Sequence, residues 1–266
     1  MNRIDQVFKT CRTENRKALI MFVSAGDPSL DFSARLIPRI IEAGADIVEI
    51  GVPFSDPMAD GPTIQMASER AIAAGATLPG ILDMICEVRK SCPDTAFVLF
   101  SYYNVLMQYG VEKLAAKSAE IGIDGWLVVD VPAEEDDEVM PFLEKHGLYK
   151  IPLIAPTTPP ERMEKLLKNA GGFVYYVTVT GVTGARTELP EDLSEHLDQV
   201  KRLSGAPVAA GFGVSTPEMA RMVGEHADGV IVGSKLIKTI EDAPDESTAL
   251  ASATDLVANL AKALRD

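Results

Sequence analysis

The chain has 266 residues, an ordinary hydrophobic share of 47% and a formal net charge of −14. That acidity argues against a nucleic-acid partner, because phosphate backbones demand basic surface. No apolar run approaches the roughly 18 residues of a membrane span, and the N-terminal MNRIDQVFKTCRTENRK has no apolar core of a secretory signal. The three cysteines, Cys11, Cys86 and Cys92, have no CxxC spacing, which fits unpaired thiols in a reducing compartment and a cytoplasmic protein.

In chain order, short apolar runs predict strands at 18–24, 47–50, 96–101, 125–130, 150–154, 173–179, 207–210 and 229–232. Most are continuously apolar rather than alternating, as in parallel strands covered on both faces. Amphipathic spacing predicts helices between them at 30–43, 78–91, 111–121, 134–146, 160–169, 193–203 and 216–225. Strands alternating with helices imply a (β/α)8 barrel, a single domain over 1–266 with an extra helix before the first strand. A doubly wound open sheet is the alternative. EAGADIVEIG (42–51), EIGIDGWLVVD (120–130) and GEHADGVIVG (224–233) each place an aspartate just before an apolar strand, a faint internal repeat.

A barrel carries its chemistry at the C-terminal ends of the strands. Those ends offer Phe22, Glu49, Phe100, Val129 with Asp130, Leu153, Tyr175 and two glycine turns, AAGFGVST (209–216) and GVIVGSK (229–235). Glycine turns leading into helices on the last two strands are a phosphate-binding pattern. The segment TGVTGAR (180–186) has the composition of a lid. The three histidines fall in predicted helices or at their ends and lack ligand spacing, so no metal is expected. No lysine ends a strand where a Schiff base would need it. Carboxylates remain: Glu49, Asp60 and Asp130. Asp56, Asp60 and Asp130 can also be read as turn formers or caps. Glu49 is harder to set aside, because an ionised glutamate inside an apolar strand is seldom buried without a partner or a purpose. Alternation puts Ile47 and Glu49 on one face and Val48 and Ile50 on the other. Burial at the barrel mouth would raise the Glu49 pKa and make it a proton donor and acceptor near neutrality.

EIGVPFSDPMADGPTIQ (49–65), with FVSAGDP (22–28), SYYN (101–104), VVDVP (128–132), GVTGAR (181–186), GFGVSTPE (211–218) and GSK (233–235), resembles the tryptophan synthase α subunit family over essentially the whole chain. The resemblance implies a cofactor-free retro-aldol cleavage of indole-3-glycerol phosphate to indole and glyceraldehyde 3-phosphate. It implies Glu49 as general acid–base and Asp60 as the residue that binds the indole N–H. Phe22, Phe100, Leu127, Val129, Leu153 and Tyr175 match the indole pocket. Gly184, Gly213, Gly233 and Ser234 match phosphate contacts with Phe212 beside them, and Thr183 matches a lid residue that positions Asp60. Pro53, Asp56 and Asn104 lie in segments that face a pyridoxal-phosphate-dependent β subunit in an α2β2 complex, so that cofactor would belong to the partner. A stand-alone lyase and a catalytically weak activator of the partner are the rival readings. Val105 stands where many members have proline, and Phe100 where many have an aliphatic residue.

Overall fold

The computed structural model describes residues 1–168, 170–177 and 193–265. Its strands are β1 Ala18–Ser24, β2 Ile47–Gly51, β3 Ala96–Ser101, β4 Gly125–Val128, β5 Tyr149–Lys150, β6 Leu153–Ile154, β7 Val174–Val177, β8 Val208–Gly211 and β9 Gly229–Val232. All pair in parallel, in the order β5-β4-β3-β2-β1-β9-β8-β7-β6. β5 and β6 are two parts of one predicted strand, interrupted at Pro152, which has no N–H to give to a ladder. Ile151 N–H still donates to Trp126 O (2.8 Å), and Tyr175 N–H to Pro152 O (2.9 Å). The sheet therefore closes on itself through this interrupted strand, and the architecture is the (β/α)8 barrel expected from the sequence.

The helices are α1 Arg3–Thr13, α2 Leu30–Glu42, α3 Pro62–Ala73, α4 Leu78–Ser91, α5 Tyr103–Tyr109 and α6 Val111–Glu120. There follow a 3-10 turn at Ala133–Glu138, α7 Met140–Lys145, α8 Pro160–Leu167, α9 Leu193–Ser204, α10 Pro217–His226, α11 Ser234–Glu241 and α12 Glu246–Ala263. α3, α5 and α12 were not expected from periodicity. The single helix expected over 134–146 is two pieces: Val139 leaves helical geometry (φ −129°, ψ −46°) just before Met140-Pro141. Proline at 141 has no N–H for a helical bond and its ring crowds the preceding turn, so a new helix starts there instead.

Two cores share the strands. Outward-facing Leu19, Met21, Val23, Val48 and Ile50 pack under the helices. Inward-facing Ile20, Ile47, Val98, Leu127, Phe173 and Ile231 fill the barrel, and α1 closes its base with Ile4, Phe8 and Cys11. The repeated aspartates have one job in common. Asp46 accepts the Leu19 N–H, Asp124 the Phe97 N–H and Asp228 the Val208 N–H, each at 2.9 Å. Each carboxylate thus ties the start of its strand to the neighbouring strand, and Arg16 (2.9 Å to Asp46) and Arg3 (3.0 Å to Asp124) balance two of the charges. No single helix among the described residues is long and apolar enough to cross a membrane.

Candidate active site

Glu49 sits in the middle of β2, in register with Phe22 on β1 and Val98 on β3. Ile47 belongs to the barrel interior while Val48 and Ile50 belong to the outer core, so period-two alternation turns Glu49 inward. It is 0% exposed, and neither carboxyl oxygen has a hydrogen-bond partner among the described residues. Removal from water disfavours the charged form, and burial alone pushes its pKa up to about 8. At neutral pH this carboxyl holds a proton that it can give away and take back.

Asp60 reaches the same mouth from the β2–α3 loop. Val52 N–H donates to Phe100 O (2.9 Å), and Asp60 N–H closes a turn on Pro57 O (3.0 Å). Gly61 then caps α3 and Pro62 opens it, a position where a missing N–H costs nothing. The Tyr102 hydroxyl donates to Asp60 Oδ2 (3.0 Å) and accepts the Ala59 N–H (3.0 Å). Gln65 Nε2 donates to Asp60 O (2.7 Å). Burial raises the Asp60 pKa to about 6, and the Tyr102 hydrogen bond, which favours the carboxylate, holds it from going higher. The Tyr175 hydroxyl is raised well above its usual value by burial and by the charges of both Glu49 and Asp60. Tyr102 and Gln65 are site residues that sequence reasoning missed individually; the SYYN and PTIQ segments that contain them were the available signal.

The apolar wall of the mouth comes from neighbouring strands. Phe100 pairs with Leu127 and Leu153 with Tyr175, which puts these side chains on the interior face. Leu127 is fully buried, whereas Phe100, Val129, Leu153 and Tyr175 are half-buried at the edge of the interior core. Phe22 meets Phe100 edge-on with ring centres 5.1 Å apart, a favoured aromatic geometry. Phe212 does not join this wall. Its ring stacks on Tyr176 (6.2 Å) and packs against the outer core, so toward the mouth it has only its backbone to offer.

At the opposite rim, Gly213 has φ +60°, a conformation that glycine adopts without penalty, and the space where a Cβ would stand is open. Gly233 follows β9 and caps α11, and a Cβ there would stand 3.3 Å from the Phe22 Cβ. Ser234 is the first residue of α11. Glycine amides beside a helix N-terminus make a place for an anion. Thr183 and Gly184 lie outside the described residues.

Pro53 is half-buried, and Asp56 and Asn104 are exposed on the rim. Met58 and Met107, 89% and 54% exposed, lie on the same two segments. Asp130 is a cap, of an element that precedes it in the chain: its Oδ1 accepts the Tyr103 N–H (2.7 Å) at the start of α5. His146 ends α7, His226 is the last residue of α10, and His196 lies within α9, its Nδ1 3.3 Å from the Tyr176 hydroxyl. Among the described residues no cluster of three or more His, Cys, Asp or Glu could hold a metal.

The chain matches the family profile described as "Tryptophan synthase alpha chain" over residues 8–265. It is 49% identical to the tryptophan synthase alpha chain of Geobacter sulfurreducens over 91% of both chains. It is 42% identical to that of a Thermoanaerobacter species over 99% of this chain and 100% of the relative. Among solved structures it superposes on the tryptophan synthase alpha chain of Legionella pneumophila with a TM-score of 0.91 and 38% identity, covering 99% and 97% of the two chains. Against Mycobacterium tuberculosis tryptophan synthase the TM-score is 0.91 at 34% identity, covering 100% and 99%.

Proposed function

The chain belongs to the tryptophan synthase alpha chain family and is an indole-3-glycerol-phosphate lyase, and from that premise we propose that Glu49 and Asp60 divide the chemistry between them. Cleaving the bond between indole C3 and the glyceryl carbon needs an electron sink. Protonation of C3 by Glu49 makes the ring an indolenine cation. The carboxylate left behind removes the glyceryl hydroxyl proton, the C–C bond breaks, and its electrons restore the aromatic indole as the aldehyde forms. One proton leaves Glu49 and one returns, so the residue ends as it began. A pKa near 8 suits that double role, because the best acid–base group titrates near the working pH. Asp60 accepts the indole N–H and stabilises the positive charge that grows on it, an electrostatic contribution of about 3 kcal/mol in a water-poor site. The observation that carries this assignment is a glutamate fully buried on the inward face of β2, in register with Phe22, with no hydrogen-bond partner among the described residues.

In this reading Phe22, Phe100, Leu127, Val129, Leu153 and Tyr175 hold the indole, while Gly184, Phe212, Gly213, Gly233 and Ser234 hold the phosphate, and Thr183 closes over Asp60. The chemistry draws on no cofactor in this chain. The protein acts as one barrel domain in the cytoplasm and hands indole to a β subunit, which carries the pyridoxal phosphate, in an α2β2 complex. Exposed Asp56, Met58, Asn104 and Met107, with half-buried Pro53 between them, favour docking of that subunit over a stand-alone lyase. Indole release from indole-3-glycerol phosphate, assayed with and without the β subunit, tests the reading. Release should rise with the partner and fall about 10²-fold in Asp60→Asn. Unchanged kinetics in that variant would reduce Asp60 to a turn former.

A further inference from the structure

Among the described residues, Arg70 hydrogen-bonds to Asp27 and Glu241, neither of which is assigned to substrate. It sits in the last turn of α3, the helix that begins just after Asp60. Its guanidinium holds Asp27 through two bonds, Nε to Oδ1 (2.8 Å) and Nη2 to Oδ2 (2.7 Å). The remaining nitrogen, Nη1, reaches Glu241 Oε1 (2.9 Å), the last residue of α11. The Asp27 side chain is only 3% exposed, so this is a bridge with one end in the protein interior.

The same seam has an apolar end. Ile64 and Ala67 on α3 and Ile237 on α11 pack together on Phe22. Ala67 and Arg70 are three apart, and Ile237 and Glu241 four apart, so on each helix the apolar contact and the charged one share a face. One helix starts two residues after Asp60 and the other at Ser234. Rotation or sliding of one against the other would move the indole-binding carboxylate relative to the phosphate end of the site. Packing by one alanine and two isoleucines limits separation but resists sliding poorly. A planar guanidinium gripping Asp27 through two parallel bonds fixes the direction of Arg70 as well as its distance, so the single bond from Nη1 to Glu241 ties α11 to an oriented point on α3.

We propose that Arg70 is a positioning residue for the lyase reaction: by joining Asp27 to Glu241 it holds α3 and α11 in the alignment that lets Asp60 and Ser234 engage one substrate at once. The inference rests on the phosphate site proposed above. Its test compares kcat/KM for indole-3-glycerol phosphate with that for unphosphorylated indole-3-glycerol, in the full-length chain, for wild type, Arg70→Lys and Glu241→Ala. Arg70→Lys keeps the charge but loses the fork. Glu241→Ala leaves the interior Asp27–Arg70 pair whole, so it folds even where a change at Arg70 does not.

The ratio of the two kcat/KM values should fall about tenfold in Arg70→Lys and about threefold in Glu241→Ala, chiefly through kcat. Alignment matters only when both ends of the substrate are held. A purely structural bridge would lower both substrates alike, in step with the folded fraction seen in thermal melts, and an unchanged ratio overturns the proposal. Failure of the phosphate site is seen separately, in wild type, as equal kcat/KM for the two substrates. The bridge would then have nothing to align, and the proposal would fall with it.

Discussion

Asp124 at the base of the barrel and Glu49 near its mouth are buried almost equally, at 3% and 0% exposure. Asp124 accepts the Phe97 N–H and faces Arg3 at 3.0 Å and Arg89 at 3.7 Å. Glu49 has no partner among the described residues. A buried carboxylate with donors and a counter-charge binds the fold together. A buried carboxyl without them keeps its proton, which is a cost to the fold and the property that proton transfer requires. In the proposed mechanism the same side-chain chemistry therefore builds at one end and reacts at the other, and the partners decide which.

The comparison breaks most sharply at Glu49. Glu49→Gln keeps the shape and removes the proton, so kcat for indole release should drop about 10³-fold. Stability should move the other way. The carboxyl has an ordinary value of 4.5 and a native value of about 8. Between those two pH values the native state holds a proton that the unfolded state releases, so wild-type stability falls as pH rises through the window and levels off above it. Gln has no such proton. Thermal melts should therefore show the variant gaining on wild type from about pH 5 to about pH 8, by a few kcal/mol in all; parallel curves would mean that Glu49 is ionised in the native protein.

At the base the expected pattern is reversed. Asp124→Ala leaves Arg3 and Arg89 without their carboxylate and the Phe97 N–H without an acceptor. It should cost about 3 kcal/mol in denaturant unfolding, while the folded variant keeps its kcat. A lost kcat with unchanged stability would erase the distinction between the two ends. The smallest effect is expected at Tyr102→Phe, which sharpens the comparison at the mouth itself. Without that hydrogen bond the Asp60 carboxylate is less favoured, so its pKa rises beyond about 6. The acid limb of kcat/KM should shift to higher pH, with only a few-fold loss at neutrality. An unmoved limb would show that Tyr102 does not bear on Asp60.

Much of the frame was legible along the chain. The runs at 18–24 and 96–101 and the helix at 78–91 match the structure to the residue, because each carries a full stripe or run of large apolar side chains. α3 escaped notice because it buries only Ala67, Ser68 and Ala71. Small residues let it lie close to its neighbours, and they leave almost no hydrophobic period to read. α5 buries only Leu106. Asp46, Asp124 and Asp228 were visible as a repeat, but their shared task needs a second strand to be seen.

The sequence by itself determined the alternation of strands and helices, the inward face of Glu49 and the glycine turns after the last two strands, because each follows from local periodicity or from the freedom of one backbone position. Tertiary structure alone decided that Tyr102 would hold Asp60 from 42 residues away, that Asp130 would cap a helix before it, and that Arg70 would bridge Asp27 and Glu241. Those contacts join segments that no periodicity connects. They exist because barrel closure brings the ends of separate strands into one ring, where a side chain's role is set by what stands opposite it.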